Sequence, residues 1–331
     1  MKSLRMLFDK FTLTLLSVVL IATFLPCSGE GAVIFGWLTN LAIGLLFFLH
    51  GAKLSREAII AGAGHWRLHA LVFSCTFVMF PLLGMALKPL FVPLVGNELY
   101  LGLLYLCALP ATVQSAIAFT SLARGNVPAA ICSAAASSLL GIFLTPLLVM
   151  FLLGAAGDTG SGLDAVLKIT LQLLVPFVAG QIARRWIGAW VKKNARWLKL
   201  VDQGSILLVV YTAFSEAVIT GLWSSVSPQH LLGLFAACAV LLAVVLLATR
   251  LLGRVLGFSL EDRITILFAG SKKSLATGVP MAQVLFVGSG IGAMILPLML
   301  FHQIQLMVCA VLAQRYAARE QPLLDEPAAG S

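Results

Sequence analysis

The sequence predicts an all-α polytopic membrane protein whose ten transmembrane helices form two inverted five-helix repeats. Of its 331 residues 60% are hydrophobic and 11% charged, with a mean hydropathy of +1.02, whereas about a quarter of the residues in a soluble domain are charged. The apolar residues fall in runs of about 20, the length that crosses ~30 Å of hydrocarbon. Basic residues between the runs are abundant in every second loop and scarce in the others, the pattern that orients spans in a bilayer.

Breaks rich in Gly, Pro and charge delimit spans near residues 11–26, 33–50, 69–87, 98–122 and 127–153, then near 164–183, 201–222, 230–252, 263–287 and 289–314. The first run, preceded by Lys2, Arg5 and Lys10, also fits a secretory signal. Loop charges favour a retained span. With the N-terminus inside, inner segments hold Lys2, Arg5, Lys10, Lys53, Arg56, Arg67, Arg124, Arg184, Arg185, Lys192, Lys193, Arg196, Lys199, Arg250, Arg254, Arg263, Arg315 and Arg319, which is 18 of the 22 basic residues. Outer segments hold Lys88, with Lys168 near the outer end of span six, and the loops around Gly157, Ser224 and Gly288 hold none. Both termini are therefore expected in the cytoplasm. Residues 1–153 form the first repeat, 154–314 the second and 315–331 a disordered tail. Five spans per half require that the halves be inverted relative to each other.

The net charge of +9 has no soluble face to gather on, which argues against a nucleic-acid partner. Six cysteines are scattered without a CxxC pair and read as packing residues, and no metal or other cofactor is expected. His65 and His69 have the i, i+4 spacing of a metal-binding helix face, but "HWRLH" lacks the glutamate of HExxH. "GSGIG" near Gly288 follows no strand and is not a phosphate loop. Without an acid pair, a Ser/His/Asp set or a nucleophile elbow, the chain is not read as an enzyme. Arg184 to Lys199, with Trp186, Trp190 and Trp197 among six basic residues, reads as an interfacial stretch against anionic membrane lipid.

The candidate site rests on polar residues at membrane depth. Span nine, "RITILFAGSKKSLATGVPMA", places Gly270, Ser271, Lys272, Lys273 and Ser274 inside a crossing. Two adjacent lysines there must reach water, carbonyls or an acid, and residues of this kind line cavities by default. Gly270, Gly278 and Pro280 bracket the pair and let the helix unwind. The alternative is a span that starts later, with both lysines snorkelling to the inner surface. Span four, "LCALPATVQSAIAFTSLARGN", is interrupted by Pro110, Thr112, Gln114 and Ser115. Broken polar spans at matching positions of two halves point to a midplane site; a proline kink with Ser/Thr helix contacts is the blander reading. Glu216, the one acid well within a span, either lines the aqueous route or neutralises Lys272 or Lys273. His302 and Gln305 border the cavity or tie helices together.

Taken together, "LPATVQSAIAFTSLARGN", "LTPLL", "YTAFSEAV", "GSKKSLATGVPMA" and "PLMLFHQIQLMV" resemble the bile acid:sodium symporter superfamily. The resemblance, over residues of about 5 to 320, is to its YfeH-like bacterial branch, related to the seventh member of animal solute carrier family ten. It implies a panel domain of spans 1, 2, 6 and 7, a core domain of the rest, crossing broken spans 4 and 9, and alternating access by motion of panel against core. The sodium ligands of the characterised members do not carry over. Their Ser-Asn pair falls on Ser115 and Ala116, the Ser and Thr of span five on Ala130 and Ala134, the central Glu of span nine on Phe268, and the Gln and Asn that follow on Lys272 and Lys273. Sodium and the proton are the candidate coupling ions. The Lys272 ammonium is expected to take the place of a bound cation, as a fixed charge or by exchanging a proton.

The function expected is secondary-active transport of a small organic anion, attracted by the lysines and by half-helix N-termini. The second reading is a non-transporting membrane regulatory or scaffold protein that affects calcium or envelope homeostasis.

Overall fold

A computed structural model describes residues 10–54, 64–153, 162–286 and 291–319, and every regular element among them is helical. In order these are α1 (Lys10–Phe24), α2 (Glu30–Lys53), α3 (Trp66–Ser74), a π-helical turn (Cys75–Met79), α4 (Phe80–Ala86), α5 (Lys88–Ala108), α6 (Val113–Leu122) and α7 (Val127–Leu153). They are followed by α8 (Gly162–Lys193), α9 (Ala195–Ile219), α10 (Leu222–Ser225), α11 (Pro228–Val255), α12 (Leu260–Gly270), α13 (Leu275–Leu285) and α14 (Ile291–Ala317). Seven of the described helical segments are long and apolar enough to cross a membrane: α2, the continuous stretch α3 to α4, α5, α7, α9, α11 and α14. The chain is a multi-pass membrane protein. The other expected spans correspond to α1, α8 and the broken pair α12 and α13. The expected repeat boundary at 154, the loops at Gly157 and Gly288, Lys2, Arg5 and Arg56, and residues 320–331 of the expected tail lie outside the described residues.

Without a hydrophobic force between helices in lipid, close packing must come from small residues at the contact. α2 and α8 meet in this way. A Cβ on Gly51 would lie 2.0 Å from the Phe177 carbonyl oxygen, and one on Gly180 would lie 1.9 Å from that of Phe48. Arg184 Nη1 donates to Ala52 O at 2.9 Å beside this contact. α9 packs on α1 and α2, where the hydroxyls of Thr39 and Thr212 share a hydrogen bond of 2.8 Å and Lys53 is paired with Asp202. Elsewhere α5 packs on α11 and α14, α6 on α7 and α12, and α13 on α14, while α9 also reaches α13 and α14.

Three boundaries differ most from the expected ones. Lys88 was expected in an outer loop but begins α5, because Pro89 suits a first helical turn. The interruption comes instead at Gly96, which takes φ 78° and ψ 168°, a backbone that glycine adopts without strain. α8 runs ten residues past the expected end of span six, and α9 begins six residues before the expected start of span seven. Charge marks the edge of the hydrocarbon, not the end of a helix. Trp186, Trp190 and Trp197 on this extension are 65%, 49% and 58% exposed, as suits an interfacial belt.

Candidate functional site

Proline chemistry builds the first break. Pro110 has no N–H for the Leu106 carbonyl, which instead takes the Leu109 N–H at 3.2 Å, and the chain leaves α5 in an extended conformation at Leu109. The carbonyls released at this helix end find other donors. Thr145 Oγ1 donates to Ala108 O at 2.9 Å, and the Ala111 N–H turns to Ser137 Oγ at 2.9 Å. α6 then starts at Val113. Thr112 precedes it but does not cap it, because its hydroxyl donates to Lys273 O at 2.7 Å.

The second break spans residues 271–274, between α12 and α13. Ser271 Oγ donates back to Leu267 O at 2.6 Å. Ser274 caps α13, its Oγ accepting from Thr277 N at 3.2 Å and from the Thr277 hydroxyl. The breaks are bonded to each other: Ser274 N donates to Pro110 O at 2.9 Å, and Lys273 O accepts from Thr112. Gln305 Oε1 accepts the Lys273 N–H at 2.9 Å, and His302 Nδ1 lies 3.4 Å from Lys273 O. Tyr105 OH donates to Gly278 O at 2.6 Å, and Leu109 packs so close to Gly278 that a Cβ there would meet Leu109 Cδ1 at 2.5 Å. Pro280 lies within α13 and does not end it.

Lys272 and Lys273 are both 0% exposed, so neither snorkels to the surface. Their surroundings differ. Lys273 Nζ donates to Thr76 O at 2.8 Å and to Cys107 O and Leu109 O at 2.7 Å each, and lies 4.2 Å from the centre of the Phe80 ring. The Thr76 carbonyl is free for a local reason. In the π turn the Phe80 N–H bonds Cys75 O, and the next residue, Pro81, has no N–H to offer Thr76. Lys272 Nζ lies 4.3 Å over the Phe119 ring beside the Cys309 thiol, and no oxygen acceptor among the described residues bonds it. The oxygen cage surrounds Lys273, the neighbour of the lysine expected to take the place of a bound cation.

Glu216 does not join this cluster. It is half-buried three residues from the end of α9, it forms no ion pair with either lysine, and the cavity described next does not include it. Three carbonyls and the Phe80 ring surround Lys273 instead, and the Phe119 ring faces Lys272.

A cavity of about 180 Å³ lies beside the crossing. The first turns of α6 (Thr112 to Ser115) and α13 (Ser274 to Thr277) form one wall, His302 borders it, and His50, Lys199 and Asp202 close the far side. Ser115 Oγ is buried without a partner among the described residues. Through Gln114, Lys199 and Asp202 the cavity adjoins a second one of about 370 Å³, whose walls carry Lys53, Arg184 and Lys192. The structure thus gathers Thr112, Gln114, Ser115, Ser274 and His302 at the cavity and Gly270, Ser271, Lys272, Lys273 and Gln305 behind it. Sequence reasoning missed His50, Lys53, Asp202 and Tyr105 as site residues. Asp202, an acid at the head of an apolar run, was the available signal.

Comparison with known proteins gives the family. The family model described as the SBF-like CPA transporter family matches residues 9–318. An uncharacterized protein of Pseudomonas aeruginosa is 73% identical over 315 residues, 95% of each chain. "Putative symporter YfeH" of Escherichia coli is 59% identical over 326 residues, covering 98% of this chain and 97% of that one. Sodium/bile acid cotransporter 7 of Mus musculus is 30% identical over 275 residues, 82% of this chain and 81% of the mouse protein. The Escherichia coli and mouse relatives are named as transporters, not enzymes, and the chain belongs to the SBF-like CPA transporter family.

Proposed function

We propose that the protein is a secondary-active transporter that moves a small organic anion by alternating access, with substrate held in the cavity between α6, α13 and α9. The observation that carries this reading is the head of α6. Its first-turn N–H groups have no side-chain cap, they lie on the cavity wall, and the unpartnered Ser115 hydroxyl lies among them. A helix N-terminus in this state offers donors and a positive dipole end to an anion. The basic vestibule formed by Lys53, Arg184, Lys192 and Lys199 raises local anion concentration at its mouth. A cavity of about 180 Å³ is below the ~300–1,000 Å³ of pockets for drug-sized ligands. The compartment at the helix heads therefore suits a compact anionic group, and the adjoining cavity of about 370 Å³ leaves room for the remainder of the substrate.

Ten spans in two inverted repeats, 1–153 and 154–314, complete the proposal. α1, α2, α8 and α9 form a panel that moves against the rest. The close contact of α2 with α8, and of α9 with α1 and α2, supports that grouping. Alternation of basic loops supports a bacterial cytoplasmic membrane with both termini in the cytoplasm, so the cavity, whose vestibule carries the inner basic residues, is open inward. Thr112, Gln114, Ser115, Ser274 and His302 contact substrate, while Gly270, Ser271, Lys272, Lys273 and Gln305 form the crossing behind it.

The test is a thermal-shift screen of purified protein against small carboxylates and phosphates, followed by uptake of hits into proteoliposomes. A ligand of the folded state raises apparent stability. Saturable uptake that Ser115→Ala weakens supports the proposal. Binding without uptake would move the reading to the regulatory class.

A further inference from the structure

We propose that the Lys273 ammonium is the resident cation of the helix crossing, and that the three-carbonyl cage around it accepts a soluble monovalent cation when that side chain is shortened. An ammonium group has three N–H donors. Here all three are matched, by Thr76 O at 2.8 Å and by Cys107 O and Leu109 O at 2.7 Å. The Phe80 ring closes the fourth side at 4.2 Å, within the range of a cation–π contact.

The cage exists independently of the lysine. Pro81 and the π turn release the Thr76 carbonyl, and the Pro110 break ends α5 with the Cys107 and Leu109 carbonyls unpaired by the helix. The negative end of the α5 dipole points at the same place, which favours a positive charge there. Neutral carbonyls with an aromatic face and no carboxylate contact among the described residues match one charge, not two. The chemical class is ammonium, methylammonium, sodium or potassium. Because the lysine is tethered at this spot, the intact crossing has no need of a soluble cation here. The inference goes beyond the transport reading and does not depend on which anion, if any, is carried.

The experiment follows melting of the purified full-length protein in detergent, with sodium, potassium, ammonium or methylammonium chloride titrated against N-methylglucamine chloride at constant ionic strength. No anionic substrate is added, so failure of the transport proposal would leave this readout intact. Wild type is expected to melt at the same temperature in every salt. Lys273→Ala is expected to melt lower in N-methylglucamine and to regain several degrees, saturably, with at least one small cation. Lys273→Met, which fills the cage without charge, is expected to regain nothing. An Ala variant that is folded but indifferent to all four cations overturns the proposal, as does a saturable sodium-specific rise in wild type. Should the Ala variant not fold, Phe80→Leu and wild type decide: both flat in sodium supports the resident cation, and a sodium response in either refutes it.

Discussion

The hydroxyl of Thr112 donates to the main-chain oxygen of Lys273 at 2.7 Å, so the residue that heads one half-helix is fastened to the break in the other. Removing the hydroxyl without changing shape leaves a buried carbonyl short of its donor, which destabilises by about 1–3 kcal/mol. Thr112→Val is therefore expected to lower the melting temperature in detergent, and Thr112→Ser, which keeps the donor, to restore most of it. Equal melting of Thr112→Val and wild type would show that the two breaks are held by other contacts.

The crossing of α2 and α8 depends on two missing side chains. A Cβ on Gly180 would enter the Phe48 carbonyl at 1.9 Å, whereas one on Gly44 of the same α2 meets nothing within 4 Å. Overpacking of this kind destabilises by about 1–3 kcal/mol where neighbours can shift, and here the obstacle is backbone. Gly180→Ala and Gly51→Ala are expected to reduce the yield of monodisperse protein in size-exclusion chromatography. Gly44→Ala should match wild type, since Ala is the better helix former. Normal yield from Gly180→Ala would contradict the close contact.

Among the described residues Asp202 is the one carboxylate on the cavity wall, and it is paired with Lys53. The pair is partly exposed, with side chains 29% and 10% accessible, so its contribution to stability is small. Its effect on an anion is more direct, because neutralising the acid leaves Lys53 and Lys199 unopposed at the mouth. Asp202→Asn is expected to tighten anion binding about two- to fivefold and Lys53→Ala to weaken it, with both effects shrinking as salt is raised. Weaker anion binding in Asp202→Asn would mean that the acid itself takes part in coupling.

What could be read from the sequence, and what could not, divides along physical lines. The break at Pro110 was readable because proline removes a helical donor whatever surrounds it. The break at Gly270 to Ser274 was readable because two lysines at membrane depth demand partners. Which lysine found oxygen was not, since Thr76 becomes an acceptor only through a π turn at Cys75 to Met79 that no residue pattern announces. Glu216 drew attention as an acid within an apolar run, yet what surrounds Lys273 is three carbonyls and an aromatic ring, and Glu216 pairs with neither lysine. Asp202 was passed over because a span edge drawn by hydropathy fell at residue 201, while α9 begins at Ala195 and carries the acid into the cavity wall.

The two neighbouring lysines offer the sharpest contrast for mutation. Each is fully buried, but one donates to three carbonyls and the other to none among the described residues. Replacing a poorly partnered buried ion with an apolar residue of similar volume is often neutral or stabilising, while leaving a buried carbonyl without its donor costs about 1–3 kcal/mol for each such group. Lys272→Met keeps the stem against Phe119 and discards only the unmatched head, so it is expected to melt at or above the wild-type temperature. Lys273→Met leaves the carbonyls of Thr76, Cys107 and Leu109 facing a thioether that cannot donate, and it is expected to melt far below. The comparison is internal, because the substitutions are identical, adjacent and equally buried. Similar losses in both variants would mean that the depth of the charge matters and the cage does not; a larger loss in Lys272→Met would place the essential ammonium in the Phe119 pocket instead.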